Sequence, residues 1–146
     1  MISIRAITED NFDAILAMKR PDGEGFVVSN AVSLAQCWLY RENEDVFPCA
    51  IYREEEPVGF LLLEEDMDDR ELIVWRMMFP EEHANKGYGG EALRRVIQLA
   101  RESGKYHHIE LTCHPKNTRA RHMYEKLGFC PTGKILNGED ELMLNL

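Results

Sequence analysis

The feature that most constrains this chain is an apolar run, Leu72-Ile-Val-Trp-Arg-Met-Met-Phe79, that leads into His83-Ala-Asn-Lys-Gly-Tyr-Gly-Gly90 and then into an amphipathic stretch. Ala92, Leu93, Val96, Ile97 and Ala100 recur at helical spacing, which predicts a helix over residues 90–103 closed by Gly104. A strand, a glycine-rich loop and a helix in that order leave unpaired backbone N–H groups at the loop, where the helix dipole favours negative charge. Gly87, Gly89 and Gly90 can take positive φ and carry no Cβ, so an anion such as a phosphate can approach the backbone closely. Three glycines in four residues also mark ordinary turns, and the loop alone leaves both readings open.

A second segment, 27 residues further on, narrows them. Asn117-x-x-Ala120-x-x-x-Tyr124-x-x-x-Gly128-Phe129 predicts a helix over residues 117–127. Asn117, Ala120 and Tyr124 then share one stripe, and Met123 and Leu127 are left to the core. Tyr124 by itself is equally a core aromatic with a wet hydroxyl.

The rest of the chain reads as alternating elements. Thr8, followed by Glu9, Asp10, Asn11, Phe12, Ile15 and Leu16, predicts an N-capped helix ending near Pro21-Asp-Gly23. Residues 29–39 predict a second helix capped by Ser29 or Asn30, with Val32, Ala35 and Leu39 on one apolar face. Strands are expected over 46–52, 58–64 and 71–79, joined by the acidic turns Glu54-Glu-Glu-Pro57 and Asp66-Met-Asp-Asp-Arg70, hence an antiparallel meander. A strand over 109–113 and a hairpin of 129–135 with 141–145 across Asn137-Gly138 complete the pattern. The helix over 90–103 is a crossover, so the strands it joins are parallel. The expectation is a single α/β (α+β) domain over residues 1–146 with a mixed, mainly antiparallel sheet and about four helices.

Charge adds direction. The net charge of −9 is split: residues 1–82 carry 19 acidic and 7 basic side chains, whereas residues 83–146 carry 7 acidic and 10 basic ones and all five histidines. An anionic ligand belongs with the second part and a cationic one with the first. Glu54-Glu-Glu56 and Glu64-Glu-Asp66 are also ordinary solvated turns. The acidic balance argues against nucleic acid as a partner. No apolar stretch approaches the roughly 20 residues of a membrane helix, and the N-terminus lacks a signal peptide's apolar centre, so the cytoplasm is the expected location and no membrane partner is expected. Cys37, Cys49, Cys113 and Cys130 match no metal-site or redox spacing, so reduced thiols and no metal are expected, with Cys113 a structural thiol.

Loop and helix together resemble the GNAT superfamily of acetyl-CoA-dependent N-acetyltransferases, whose loop reads Gln/Arg-x-x-Gly-x-Gly/Ala and whose later helix reads Asn-x-x-Ala-x-x-x-Tyr-x-x-x-Gly-Phe. Gly87 and Gly89 match; Ala84 stands where Gln or Arg is usual, and Asn85 where a further glycine is common. Asn tolerates left-handed backbone best among non-glycine residues, so the loop shape can survive, with Lys86 or His83 supplying charge nearby. Gly25-Phe-Val-Val-Ser-Asn30-Ala-x-Ser33-Leu-Ala35 and Val74-Trp-Arg-Met-Met78 are similar to the bacterial spermine/spermidine (diamine) acetyltransferase branch.

The resemblance implies acetyl-CoA as cosubstrate, no metal, central parallel strands that splay apart, and a possible homodimer. It implies pantetheine pairing with Met77, Met78 and Phe79, and pyrophosphate on Asn85, Lys86, Gly87, Tyr88, Gly89 and Gly90. Asn117, Arg119 and Ala120 would lie beside the cofactor, and Tyr124 would donate a proton to CoA sulfur. Relatives often place a carboxylate at positions that are Trp75 and Thr112 here, and neither can act as a base. Strand alternation puts Glu110, Thr112 and His114 on one face, so His114 and Glu110 are the nearest substitutes, though a loop histidine and a surface glutamate read equally well. Trp75, Glu110 and Thr112 would face the acceptor, with Trp75 either core or a cation–π partner for an amine. The implied activity is transfer of acetyl to a small amine, preferably a polyamine. A protein or antibiotic-like amine, or a non-catalytic acyl-CoA sensor, are the alternatives.

Overall fold

Alternating apolar residues along the strands build one sheet with a helical layer on each face, and the order of its strands, β1-β2-β3-β4-β5-β7-β6, leaves sequence order only where β7 inserts between β5 and β6. The computed structural model describes residues 1–20 and 28–146. Its elements are β1 (Ile2–Ala6), α1 (Glu9–Ala17), α2 (Asn30–Leu39), β2 (Val46–Arg53), β3 (Glu56–Asp66), β4 (Glu71–Met78), α3 (Tyr88–Ser103), β5 (His108–Cys113), α4 (Thr118–Lys126), β6 (Cys130–Leu136) and β7 (Glu139–Asn145). Strands β1 to β4 form an antiparallel meander, and α3 returns the chain so that β5 runs parallel to β4. Asn137 and Gly138 both take positive φ between β6 and β7, the hairpin turn whose twist suits the flanking strands. Among the described residues no helix is long and apolar enough to cross a membrane.

Both faces of the sheet are buried, which is why Leu61 and Leu62, adjacent in sequence, belong to different cores. Leu61, Leu72 and Val74 pack with Leu93, Val96 and Ile97 of α3 and with Ile109, Leu111 and Phe129. Phe60, Leu62 and Met78 pack on the opposite face with Ile15 and Met18. Close approach is needed at Gly59, where an added Cβ would lie 2.6 Å from Phe79 and 2.9 Å from the Met78 carbonyl. The absence of a side chain there seats Phe79 at the end of β4.

The decisive irregularity is in β4. Leu62 pairs with Arg76 but the next residue, Leu63, pairs with Val74, so Trp75 is an extra residue, a β-bulge. Bulges bend a strand and sharpen its twist. β4 and β5 pair only at Glu71 with His108, Leu72 with Ile109 and Ile73 with Glu110, and beyond that vertex they diverge. The splayed parallel strands implied by the family resemblance are therefore present, with the bulge two residues past the last pair.

Two features differ from the sequence reading. β1 was not expected; its five residues all pair with β2, and the cue is the alternation Ile2-Ser3-Ile4-Arg5. The apolar face expected to anchor α2 is turned outward, with Val32 and Leu39 exposed and Trp38 67 % exposed. Polar partners decide the docking instead. Buried Asn30 donates to the Ile15 carbonyl (2.9 Å), and Arg76 from β4 donates to Ser33 Oγ (3.1 Å) and to Gln36 Oε1. At α1 the expected start is correct: Asn11 accepts from the Thr8 N–H (2.9 Å) and donates to the Ala6 carbonyl (3.0 Å). The helix ends at Ala17, earlier than expected, and the stop near residues 21–23 and the quoted residues 25–27 lie outside the described residues.

Candidate active site

Where β4 and β5 part they enclose a cleft of about 1110 Å³. Trp75, Met77 and Phe79 line it from β4 and the residue beyond; Glu110, Thr112 and His114 line it from β5 and its end. Past Ile73 the facing edge of β4 has no strand partner, so its amide groups can pair with an extended ligand as an added strand would.

The glycine-rich loop closes one end. Gly87 sits at φ 83° immediately before α3, a left-handed residue that turns the chain without a capping side chain. The first-turn N–H groups of α3 are thus left available to an anion. Asn85 takes φ 61°, and its Oδ1 accepts from the Arg119 guanidinium, which ties the loop to the start of α4. Gly89, Gly90, Tyr88, Asn85, Arg119 and Ala120 line the cleft, as does Arg94 on the first turns of α3. Lys86 is exposed and outside the lining, and the Met78 side chain is buried in the opposite core. His83 does line the cleft, yet its Nε2 lies 3.4 Å from Glu56 Oε1. Asn117 caps α4, accepting from the Ala120 N–H (3.3 Å), so it orders the helix that carries Tyr124.

Tyr124 lines the cleft, edge-on to Phe129 with ring centroids 6.1 Å apart. Burial, reinforced by neighbouring Cys113 and Glu139, pushes its phenol well above the ordinary value, so it holds its proton through neutrality. Buried Cys113 points its thiol at the His114 and Asn117 carbonyls (both 3.6 Å), the contacts of a structural residue. His114 Nδ1 accepts from the Lys116 N–H (3.1 Å), so in the neutral ring the hydrogen resides on Nε2. Trp75 is half-buried against the α1 core, and the Arg76 guanidinium lies 4.6 Å from its ring centroid, already engaging the aromatic ring by cation–π attraction.

Glu110 sits at the vertex with company. Burial, then Glu71 and Glu141, push its carboxyl up to about 8. Glu64 on β3 is also raised, by burial and by Asp45, Asp66 and Glu110. One face of the sheet beside the vertex is therefore dense in carboxylates, whereas Arg94 and Arg119 stand at the loop end. Sequence reasoning had missed Arg94 and Glu139, both in the lining. Arg94 was legible as a basic position in the second turn of the helix that follows the glycine loop. Glu139 follows the Asn137-Gly138 turn, a place that makes a hairpin residue prominent without saying what it faces.

The sequence matches the model of the Acetyltransferase (GNAT) family over residues 10–129. It is 31% identical to a spermine/spermidine N(1)-acetyltransferase of Bacillus subtilis strain 168, covering 99% of each chain. It is 30% identical to a probable spermine N(1)-acetyltransferase of B. subtilis subsp. natto, with the same coverage. Among solved structures it is similar to spermidine N-acetyltransferase from Vibrio cholerae in complex with CoA and spermine, at TM-score 0.77 and 17% identity over 99% of this chain and 95% of that one. A PaiA N-acetyltransferase from Thermoplasma acidophilum in complex with coenzyme A has the same fold, at TM-score 0.74 and 15% identity over 100% and 99%. The chain belongs to the GNAT acetyltransferase family, and it is an acetyl-CoA-dependent N-acetyltransferase.

The raised Glu110 makes stability depend on pH. Between about 4.5, where an ordinary glutamate titrates, and about 8, the native state holds a proton that the unfolded chain has released, so this residue costs increasing stability as pH rises through that window. Glu110→Gln removes the ionisation. Urea midpoints at pH 5, 7 and 9 should show the variant gaining on the wild type as pH rises, with the gain levelling above about pH 8. A difference independent of pH contradicts the assignment.

Proposed function

We propose that the enzyme acetylates a small polycationic amine, with polyamines such as spermidine or spermine the preferred acceptors. The carboxylates gathered beside the cleft vertex around Glu110, namely Glu64, Glu71 and Glu141, with basic side chains at the opposite, loop end, carry this reading. A cation and the phosphates of CoA would then approach from separate ends of one cleft. The names of the curated B. subtilis relatives support the same acceptor class.

In this reading the pantetheine arm adds to the free edge of β4 at residues 77–79, and the pyrophosphate rests on residues 85–90 with Arg94 and Arg119 beside it. Acetyl transfer requires a neutral amine, donors for the developing oxyanion and a proton for the departing thiolate. Tyr124 supplies that proton. Its raised phenol stays protonated until a thiolate forms next to it, the state a proton donor must rest in. Asn117 acts by holding the start of α4.

Tyr124→Phe keeps the ring and removes the hydroxyl. The expected result is a roughly 10- to 1000-fold loss in kcat with CoA affinity within about twofold of wild type, read by free-thiol release and calorimetry. Full activity would return Tyr124 to a packing role. For the acceptor, spermidine, spermine and a monoamine are compared at two salt concentrations. Attraction by the carboxylates is screened beyond about 8 Å at physiological ionic strength, so the KM for spermidine should rise with salt while kcat holds. Equal use of the monoamine with no salt dependence would sink the polyamine reading.

A further inference from the structure

An ammonium near neutral pH is about one part in a thousand deprotonated when its pKa is about 10.4, so the reaction needs an acceptor for the first proton. Of the groups on the acceptor face, Glu110 already holds a proton at neutral pH, since burial and its carboxylate neighbours place it at about 8. His114 has its accepting nitrogen engaged by the Lys116 N–H. Two further carboxylates are in the lining: Glu81, ahead of the glycine loop, and Glu139, at the start of β7 on the strand beside Thr112. The Thr112 hydroxyl, from the neighbouring strand β5, donates to Glu139 Oε1 at 3.2 Å, and Thr112 and Tyr124 line the same cleft.

We propose that Glu139, held in place by the Thr112 hydroxyl, accepts the proton of the incoming ammonium and is the general base of the reaction. The inference rests on the acetyltransferase reading of this cleft and deepens it. The ammonium passes one proton to Glu139. The nitrogen lone pair forms the bond to the thioester carbonyl carbon, the C–S bond breaks with its electron pair on sulfur, and the sulfur takes the Tyr124 proton. The second nitrogen proton returns through solvent to the Tyr124 oxygen, and the Glu139 proton leaves to solvent. Neutralising Glu139 in the first step also removes a negative charge that had held the Tyr124 proton in place, so proton uptake from the amine prepares proton delivery to the thiolate. Thr112 is a positioning residue, acting through Glu139.

The test is kinetic, with the full chain and whichever amine of the panel it acetylates, so that a wrong amine overturns the substrate reading alone. The titratable groups that interact with Glu139 are Cys113 on β5 and Tyr124 on α4; Arg121 and Glu125 on α4 and Asp140 on β7 surround the same Cys113 thiol, with Arg121 paired to Asp140 at 2.8 Å. Glu139→Gln should lower kcat roughly 100-fold at pH 7 with CoA affinity within about twofold. Its rate should then climb about tenfold per pH unit up to pH 9, as the amine deprotonates without help, whereas the wild-type profile flattens. Thr112→Val should lose part of the rate and Thr112→Ser should recover it. Glu139→Gln within twofold of wild type across that pH range overturns the proposal, as does a loss that is constant with pH.

Discussion

The separation of β4 from β5 is the constraint on which the site depends. Two parallel strands joined by a helix would normally pair along their length, and here they pair at three positions before parting. The extra residue at Trp75 supplies the cause, since a bulge bends its strand at that point, two residues past the vertex. Everything functional is placed relative to that opening. The free edge of β4 forms one wall, the face of β5 the other, and α3 and α4 bring the glycine loop and Tyr124 to its end. The two cores make the opening affordable, because both faces of the sheet are covered by helices on either side of it.

Charge is arranged along the same opening. Uncapped N–H groups, Arg94 and Arg119 stand at one end and several carboxylates at the other. Burial, and then carboxylates packed side by side, raise Glu110 and Glu64, a cost to stability as pH rises that a purely structural sheet face has no reason to carry. The Tyr124 phenol is raised by burial, so it keeps its proton through neutrality.

Much of this was legible in the sequence. The glycines at 87, 89 and 90, the periodicity of 92–100 and the Asn117 to Phe129 spacing name the loop, the helix behind it and the helix beside it. Those signals are local, and local patterns survive folding. The outward apolar face of α2 was not legible, because it depends on Arg76, 40 or more residues away, meeting Ser33 and Gln36. Trp75 could be read as core or ligand, but its role as the bulge requires the register of β3 against β4, which no single strand encodes. Glu139 was missed for the same reason: only the pairing of β5 with β7 brings it to Thr112.

The central claim is that the β4 edge beyond the vertex receives the cofactor as an added strand. Hydrogen exchange with and without CoA tests it directly. The amides of residues 77–79 should slow markedly on adding CoA, together with those of residues 87–90, while the β5–β7 ladder, already paired, should change little. Slowing at the loop with no change at residues 77–79 would mean that the phosphates bind but the arm does not pair with β4, and would contradict the account.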